Sequence, residues 1–377
     1  MSVKGLSGWH ATNAKQFGQD RWRSLYAALW SPKSHAALVS PFERHADELV
    51  RRRGMQPIEG VPFCWVEHGQ SNGAEGAEAA GSRQDEQGVI YWLDAASAAS
   101  LFFLPLPAGP STVLDMCAAP GGKSLVLASR IFASAAPAMA GADAEGTPDA
   151  HDHGHGHRTA TTGRLVCNEH SRPRLDRLAA TLRAFLPAEL LDHGQCVTFT
   201  NDDAANPRQV ALLAPFDGVL LDAPCTSDRH LLHSGPSGLA KWASGTPKGH
   251  ADRQLRLATA ALGMLKPGGH LLYSTCALSE VENDQVIERL LSRAARDPSC
   301  VQCEAVTPTQ MMDMYKAHIS PHTRPPDGDA QGGDCMSSTK SVGVRVCWEA
   351  TRVGVVCLPD RSMGCGPLYV ALVKRAK

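Results

Sequence analysis

From Thr112 onward the chain alternates short apolar runs with longer amphipathic stretches, a pattern that few architectures can accommodate. It predicts strands over 112–117, 164–169, 196–201, 218–223 and 269–275, and helices over 122–135, 172–186, 252–265 and 279–294. Such alternation builds a parallel sheet through right-handed crossovers, with helices over its faces. The carboxyl ends of the strands then share one edge, and that is where open α/β sheets bind their ligands. Three predicted strands run into distinctive residues at that edge. They are Val113-Leu114-Asp115-Met116-Cys117-Ala118-Ala119-Pro120-Gly121-Gly122-Lys123, Asp222-Ala223-Pro224-Cys225 and Ser274-Thr275-Cys276. A Gly-rich turn and two thiols are thereby expected side by side.

Methylation of a ring carbon needs these parts. Carbon-5 of cytosine is a poor nucleophile until a thiolate adds at carbon-6 and makes an enamine-like carbanion that can attack an electrophilic methyl group. After transfer, the carbon-5 proton must be removed before the thiolate can leave, and a second cysteine can serve as that base. The glycines let the backbone approach the methionine part of a cofactor without a Cβ clash, and the helix that follows presents its N-terminus to a carboxylate. No Gly-x-Gly-x-x-Gly is present, so the turn is not of the dinucleotide type.

Over most of residues 112 to 290 these motifs resemble the Nop/Sun-type RNA 5-methylcytosine methyltransferases. Pro224-Cys225-Thr226-Ser227-Asp228-Arg229-His230 is similar to the Pro-Cys-Thr-Thr-Asp-Arg-His run of the mitochondrial subgroup. Tyr273-Ser274-Thr275-Cys276-Ala277-Leu278-Ser279, followed by Glu282-Asn283-Asp284, resembles its last motif, and Gly366-Pro367-Leu368-Tyr369 its terminal strand. Ala277 stands where serine is frequent, and Asp284 where Glu is usual.

The resemblance implies an α/β fold, a Rossmann-like class I methyltransferase with a seven-stranded, mostly parallel sheet and an N-terminal helical extension. It implies S-adenosylmethionine as cofactor, Cys276 as the nucleophile and Cys225 as the residue that assists product release. DNA cytosine-5 methyltransferases differ, using a Pro-Cys cysteine as nucleophile and lacking the Ser-Thr-Cys partner. Cofactor contacts carry over to Cys117, Ala118, Ala119, Pro120, Gly121, Gly122 and Lys123 of the turn. Glu169, where the family usually has Asp, is expected at the ribose hydroxyls, with Arg174 one turn beyond it. Asp202 is expected at the adenine amino group with Asp203 as its rival, and Asp222 lies between the cofactor and base pockets. Arg229 and His230 either contact RNA or brace the catalytic loop.

Composition bounds the rest. A chain of 377 residues, 43% hydrophobic, can bury a large core; residues 1–88 are expected as a helical extension with a flexible loop, and 89–377 as the methyltransferase domain. With 37 basic and 38 acidic residues there is no global field to recruit nucleic acid. RNA, ribosomal or transfer, must then be held by a local patch or a partner. The subgroup implies a helical-repeat RNA-binding protein of the mitochondrial transcription termination factor type, or a nascent mitochondrial ribosomal subunit. No run reaches the roughly 20 apolar residues of a membrane span. The twelve cysteines are scattered, which points to a reduced compartment, and the first 19 residues carry Lys4 and Lys15 but no acid, faintly like a mitochondrial transit segment. The mitochondrial matrix is the expected location.

Helical periodicity is read over residues 1 to 55, with Trp22, Leu25 and Leu29, then Ala37, Leu38 and Phe42, on one side. Tyr91-Trp92-Leu93-Asp94-Ala95-Ala96-Ser97 resembles the family's helix leading into the catalytic domain. Loops are predicted over 69–88, over the insertion 136–163 and over 321–334, and residues 300–360 are expected to supply the last antiparallel strands. Within the insertion, His151-Asp152-His153-Gly154-His155-Gly156-His157 fixes no coordination geometry, and no metal site is expected. Arg51, Arg52 and Arg53 read as a solvated helix end. The cysteines other than Cys117, Cys225 and Cys276 read as small buried hydrophobes. Two other functions compete: a ribosome-assembly factor for which turnover is dispensable, and methylation of a protein or small molecule, which leaves the second thiol without a use.

Overall fold

A computed structural model describes residues 4–59, 61–67, 88–107, 109–133, 163–191, 196–206, 209, 215–240, 242–319 and 346–377. The loop expected over 69–88, the His-rich run and the loop at 321–334 lie almost wholly outside them. Five parallel strands form the heart of the main sheet: β5 (Thr112–Asp115), β6 (Arg164–Asn168), β7 (Val197–Thr200), β8 (Phe216–Asp222) and β9 (Leu265–Thr275). They stand in the spatial order β7-β6-β5-β8-β9. The chain runs outward from β5 to β7 on one side and then crosses back to β8 on the other. This reversal makes the carboxyl ends of β5 and β8 the topological switch point of the sheet, the place where a crevice opens.

Period-two alternation assigns each strand residue to a layer. Val113, Leu165, Leu220 and Leu272 pack into one apolar cluster with Leu125 and Leu178 of the helices Gly122–Phe132 and Arg172–Phe185. Leu114, Val166, Leu221 and Leu271 face the opposite cluster, with Leu257 and Ile287 of the helices Thr246–Met264 and Asp284–Arg296. Burial on both faces is why these strands read as continuous apolar runs.

Four antiparallel strands complete the sheet: β10 (Cys303–Ala305), β11 (Glu349–Ala350), β12 (Val355–Cys357) and β13 (Leu368–Arg375). The sheet thus has nine strands against the expected seven; β11 and β12, two and three residues long, are too short to leave a periodic signal. Strand β13 lies along β9, pairing Tyr369 with Thr275.

The N-terminal region is only partly helical. Lys4–Phe17 and Gln19–Trp30 are helices, and the second buries Trp22, Leu25 and Leu29 as its spacing requires. Ala37 and Leu38 instead lie in β1 (His35–Val39), which joins β2 (Met55–Pro57), β3 (Cys64–Glu67) and β4 (Ile90–Asp94) in an antiparallel sheet ordered β2-β3-β1-β4. Ala36 and Leu38 face one apolar cluster, Ala37 and Val39 another. A run buried on both faces has no polar side, so its period cannot separate strand from helix. Tyr91 to Asp94 are likewise strand; the helix starts only at Ala95, where the Asp94 carboxylate accepts from the N–H groups of Ala96 and Ser97.

Asp284, nearly fully buried, ties the last strands to the domain. Its Oδ1 accepts from Thr351 Oγ1 at 2.7 Å and from the Tyr369 hydroxyl at 2.8 Å, and its Oδ2 from the Arg352 N–H at 3.2 Å. Asp284→Ala would strand these donors, at about 1–3 kcal/mol for each one left buried and unpaired. We expect urea unfolding to show a loss of about 3 kcal/mol; a loss under 1 kcal/mol would show that water replaces the carboxylate.

Candidate active site

The loop after β8 is held from beneath by a buried carboxylate. Glu282, with no solvent exposure, accepts from the Thr226 N–H at 2.9 Å, from the Thr226 hydroxyl, and from Gln254 Nε2 at 3.1 Å. Gln254 Nε2 also donates to Pro224 O at 3.0 Å, and the Tyr273 hydroxyl to Glu282 O at 2.6 Å. Burial pushes the Glu282 pKa up to about 7, against the hydrogen bonds from Thr226 and Gln254. The loop after β9 is fixed by Thr275 and Asn283. The Thr275 hydroxyl donates to Asn283 Oδ1 at 2.6 Å and accepts from the Ala277 N–H at 3.2 Å, while Asn283 Nδ2 donates to Ala277 O at 3.0 Å.

Between these clamped loops Cys225 Sγ and Cys276 Sγ stand 3.2 Å apart. Ser227 Oγ lies 3.3 Å from Cys276 Sγ and 3.6 Å from Cys225 Sγ. The contact with Cys225 holds the Cys276 pKa below the ordinary thiol value, over the opposing cost of burial and with help from Ser227. The same contact, and then burial, raises Cys225. A proton shared by the pair is therefore favoured on Cys225, and Cys276 is the easier of the two to ionise.

On the cofactor side, Gly121 takes φ +119°, and a Cβ on Gly122 would come within 2.9 Å of the Tyr91 ring. Lys123 Nζ, from the start of the next helix, pairs with Asp222 Oδ2 at 2.9 Å, and the Ser274 hydroxyl donates to Asp222 Oδ1 at 2.7 Å. Burial works against the Lys123 charge, but Asp222 outweighs it and keeps the pKa above the ordinary lysine value. A cavity of about 250 Å³ is lined by Asp94, Ser97, Asp115, Cys117, Lys123 and Asp222, among others, and includes Ala118, Ala119, Pro120 and Gly122 in its wall. A second cavity of about 220 Å³ is lined by Ser97, Lys123, Asp222, Ser227, His230 and Cys276, among others. Lys123 and Asp222 form part of the wall common to both.

Of the three buried carboxylate oxygens without a hydrogen-bond partner among the described residues, Asp360 Oδ1 being the third, two belong to acids just at or beyond the ends of β5 and β6. Asp115 Oδ1 is one; its Oδ2 accepts from the Ser124 hydroxyl at 2.7 Å. Glu169 Oε2 is the other, within 3.4 Å of Arg174 as an ion pair but not hydrogen-bonded, while Oε1 accepts from the Ser171 N–H. Orphan acceptors of this kind suit a ligand with ammonium and hydroxyl donors. Arg174 also donates to Ala119 O at 2.8 Å, buttressing the Gly-rich turn. The Asp203 carboxylate is engaged by the Ala205 N–H, which leaves Asp202 the freer of the two acids. Glu169 and Asp202 follow the ends of β6 and β7 and Arg174 lies in the first turn of the helix Arg172–Phe185, all three outside the walls of the 250 Å³ cavity.

The sequence profile of the family described as 16S rRNA methyltransferase RsmB/F matches residues 157–329. The match spans a little under half of the chain and shows that this part is similar to an RsmB/F-type methyltransferase domain. The mitochondrial tRNA (cytosine(34)-C(5))-methyltransferase of Mus musculus is 28% identical over 285 residues, 76% of this chain and 63% of that protein. The 5-cytosine rRNA methyltransferase NSUN4 of Bos taurus is 28% identical over 311 residues, 75% of this chain and 72% of that protein. Among solved structures, NSun6 from Pyrococcus horikoshii with SFG aligns at TM-score 0.62 and 14% identity over 98% of each chain, a likeness of fold.

Several residues with evident work gave little signal in the sequence. Asn168, at the end of β6, donates to Met116 O and Asp202 O and accepts from the Asp202 N–H and the Thr200 hydroxyl, so one amide ties three strand ends together. Trp9 Nε1 donates to Asp228 Oδ1 at 2.6 Å, and Asp228 Oδ2 accepts from the Leu278 N–H at 2.8 Å. Arg229, almost fully buried, donates to the carbonyls of Ser31, Gly364 and Gly366 and so braces the loop, whereas His230 is exposed beside the second cavity. Of the cysteines expected to be buried, Cys64, Cys167, Cys357 and Cys365 are; Cys196, Cys300, Cys303 and Cys347 are half-buried, and Cys335 lies outside the described residues. Among the described residues no group of His, Cys, Asp or Glu could hold a metal ion.

Burial pushes the Asp115 pKa up to about 7. A carboxyl raised in the folded state favours the protonated form, so its contribution is full below the ordinary carboxylate pKa of about 4 and is lost as pH climbs through 7. Asp115→Asn, neutral throughout, should remove that dependence: the difference in Tm, wild type minus variant, should fall steadily between pH 4 and pH 8. Parallel Tm profiles would show that Asp115 does not titrate in that range.

Proposed function

We propose that this chain is an S-adenosylmethionine-dependent RNA (cytosine-5)-methyltransferase acting on a structured ribosomal or transfer RNA in the mitochondrion. The observation that carries the reading is the 3.2 Å thiol pair, whose Cys276 lines a cavity that shares Lys123 and Asp222 with the Gly-rich pocket. Methylation at nitrogen or oxygen gives no use to a second thiol, and neither does a purely scaffolding role. S-adenosylmethionine, when bound, supplies an electrophilic methyl group. The residues fit it: Ala118, Ala119, Pro120 and Gly122 of the turn line the 250 Å³ cavity, Asp115 Oδ1 offers an acceptor to its ammonium, and Glu169 Oε2 one to its ribose hydroxyls. Asp202 is assigned to the adenine amino group.

The target cytosine must leave its stack to expose carbons 5 and 6, and the 220 Å³ cavity is the pocket that receives it. Cys276 enters as the thiolate and bonds to carbon-6. Negative charge then spreads over the ring toward its carbonyl and ring nitrogen. The Lys123 ammonium, held by Asp222 at 2.9 Å in the cavity wall, is placed to stabilise it, while Asp222 accepts from the exocyclic amine. Once carbon-5 is methylated, Cys225 takes the carbon-5 proton, the carbon–sulfur bond breaks, and Cys276 returns as a thiolate. The near-zero net charge of −1 favours delivery of the RNA by a partner such as a helical-repeat RNA-binding protein. The mitochondrial assignment follows the likeness to the mitochondrial tRNA methyltransferase of Mus musculus.

Cys225→Ala blocks elimination but not attack. Expressed in its native cell and isolated under denaturing conditions, this variant should retain covalently bound RNA, enriched at one cytosine, whereas Cys225→Ala with Cys276→Ala should retain none. Absence of an adduct in either, with the fold intact and the RNA present, would overturn the reading in favour of a scaffold.

A further inference from the structure

Resting on the thiol mechanism above, we propose that Ser227 is a third catalytic residue, its hydroxyl serving the two thiols in turn: it donates to the Cys276 thiolate before attack and then carries the Cys225 proton to water in the base cavity. The backbone is committed to this placement. Ser227 sits at φ 55°, ψ 52°, in the left-handed region, one of three non-glycine residues with positive φ among those described. Ordinary residues adopt that conformation rarely, and where they do a function is often served. Here it turns the hydroxyl back between the two sulfurs, 3.3 Å from one and 3.6 Å from the other, and into the wall of the cavity.

The chemistry leaves a task that neither thiol can perform. Cys225 begins with a proton, given to its contact with the Cys276 sulfur, yet it must be a thiolate when it removes the proton from carbon-5. Formation of the Cys276–carbon-6 bond consumes the charge that held the Cys225 proton, leaving Ser227 Oγ as its remaining hydrogen-bonding neighbour among the described residues. A hydroxyl is both donor and acceptor and rotates freely about its Cβ–Oγ bond. Ser227 can accept the proton from Cys225 Sγ while passing its own to water. The balance closes: conversion of a sulfonium and a C–H into a thioether and a C–CH₃ releases one proton overall, and this is the proton that leaves by Ser227. The carbon-5 proton then replaces it on Cys225, restoring the thiol, and elimination restores the Cys276 thiolate. The same hydroxyl, second to the Cys225 contact, helps hold the Cys276 pKa down.

The charged groups nearest the sulfurs are Lys123 and Asp222, which oppose one another at 2.9 Å, and Glu282 beneath Thr226; none of them changes in the test. Ser227→Ala removes the hydroxyl, Ser227→Gly removes it while accommodating the left-handed backbone, and Ser227→Thr restores it. Two readouts are taken: methylation of the RNA trapped by Cys225→Ala, and the pH midpoint of Cys276 alkylation by iodoacetamide, followed peptide by peptide by mass spectrometry without any RNA. The Ala and Gly variants should lower kcat about 100-fold with KM within about threefold, in the range of a lost proton-transfer group. They should also move the alkylation midpoint to higher pH, and Thr should return both toward wild type. Wild-type kcat and midpoint in Ser227→Gly would overturn the proposal, showing that only the turn matters. Wild-type protein inactive on RNA would count against the methyltransferase reading instead, and an unchanged midpoint across the variants would still refute the donor role of Ser227.

Discussion

The parallel register of β8 against β9 is the constraint on which the site depends. Asp222 is paired with Ser274 across the ladder, and each strand ends within three residues of its cysteine. Because side chains in a strand alternate between faces, a slip of one residue would exchange the apolar set that faces each layer, and so it is excluded by both cores at once. The register is therefore fixed by Leu220, Leu221, Leu271 and Leu272, and the thiols inherit their separation from it. The Ser274–Asp222 hydrogen bond is the visible end of that ladder, and through Asp222 it extends to Lys123 on the cofactor side.

Holding two sulfurs at 3.2 Å also requires the loops beyond the strands to be rigid, and polar groups buried beneath them supply the rigidity. Glu282 and Asp228 are carboxylates with almost no solvent exposure. Each is tolerable only because backbone N–H groups, hydroxyls or an indole N–H satisfy it. Asp228 draws its donors from two distant segments, Trp9 and Leu278, and Gln16 donates to Leu278 O while accepting from the Glu280 N–H. The helix Lys4–Phe17 thus grips the segment after Cys276 and the segment after Cys225 together. A helix that reads as an accessory in sequence is mechanically part of the thiol site.

Much of this was legible in the chain. The five parallel strands were expected because each is a short apolar run followed by a turn and an amphipathic helix; the sheet Cys276 completes differs from expectation chiefly at β10 to β13. The two thiols and the Gly-rich turn were legible because they close strands whose ends must share an edge. Residues 35–39 were read as helix, since a strand buried on both faces lacks the polar side that period-two reading needs, and residues 91–94 because they run directly into the helix that their resemblance pointed to. Asn168 and Trp9 were passed over for another reason. A lone asparagine at a strand end or a tryptophan on an apolar helix face carries no local mark of its partners, and the Trp9–Asp228 bond spans 219 residues. Arg229 was left open between RNA and brace, and three carbonyls from two distant segments decide for the brace.

The electrostatics explain why two chemically identical side chains can divide the labour. Both cysteines are buried to a similar degree, so desolvation alone would raise both and distinguish neither. What separates them is the direction of one shared proton. Their mutual contact acts in opposite directions on the two, lowering Cys276 and raising Cys225; Ser227 adds to the lowering at Cys276, where Asp222 opposes Lys123, and the Glu282 carboxylate adds to the raising at Cys225. The asymmetry is therefore built into the strands that supply the two loops rather than into the thiols.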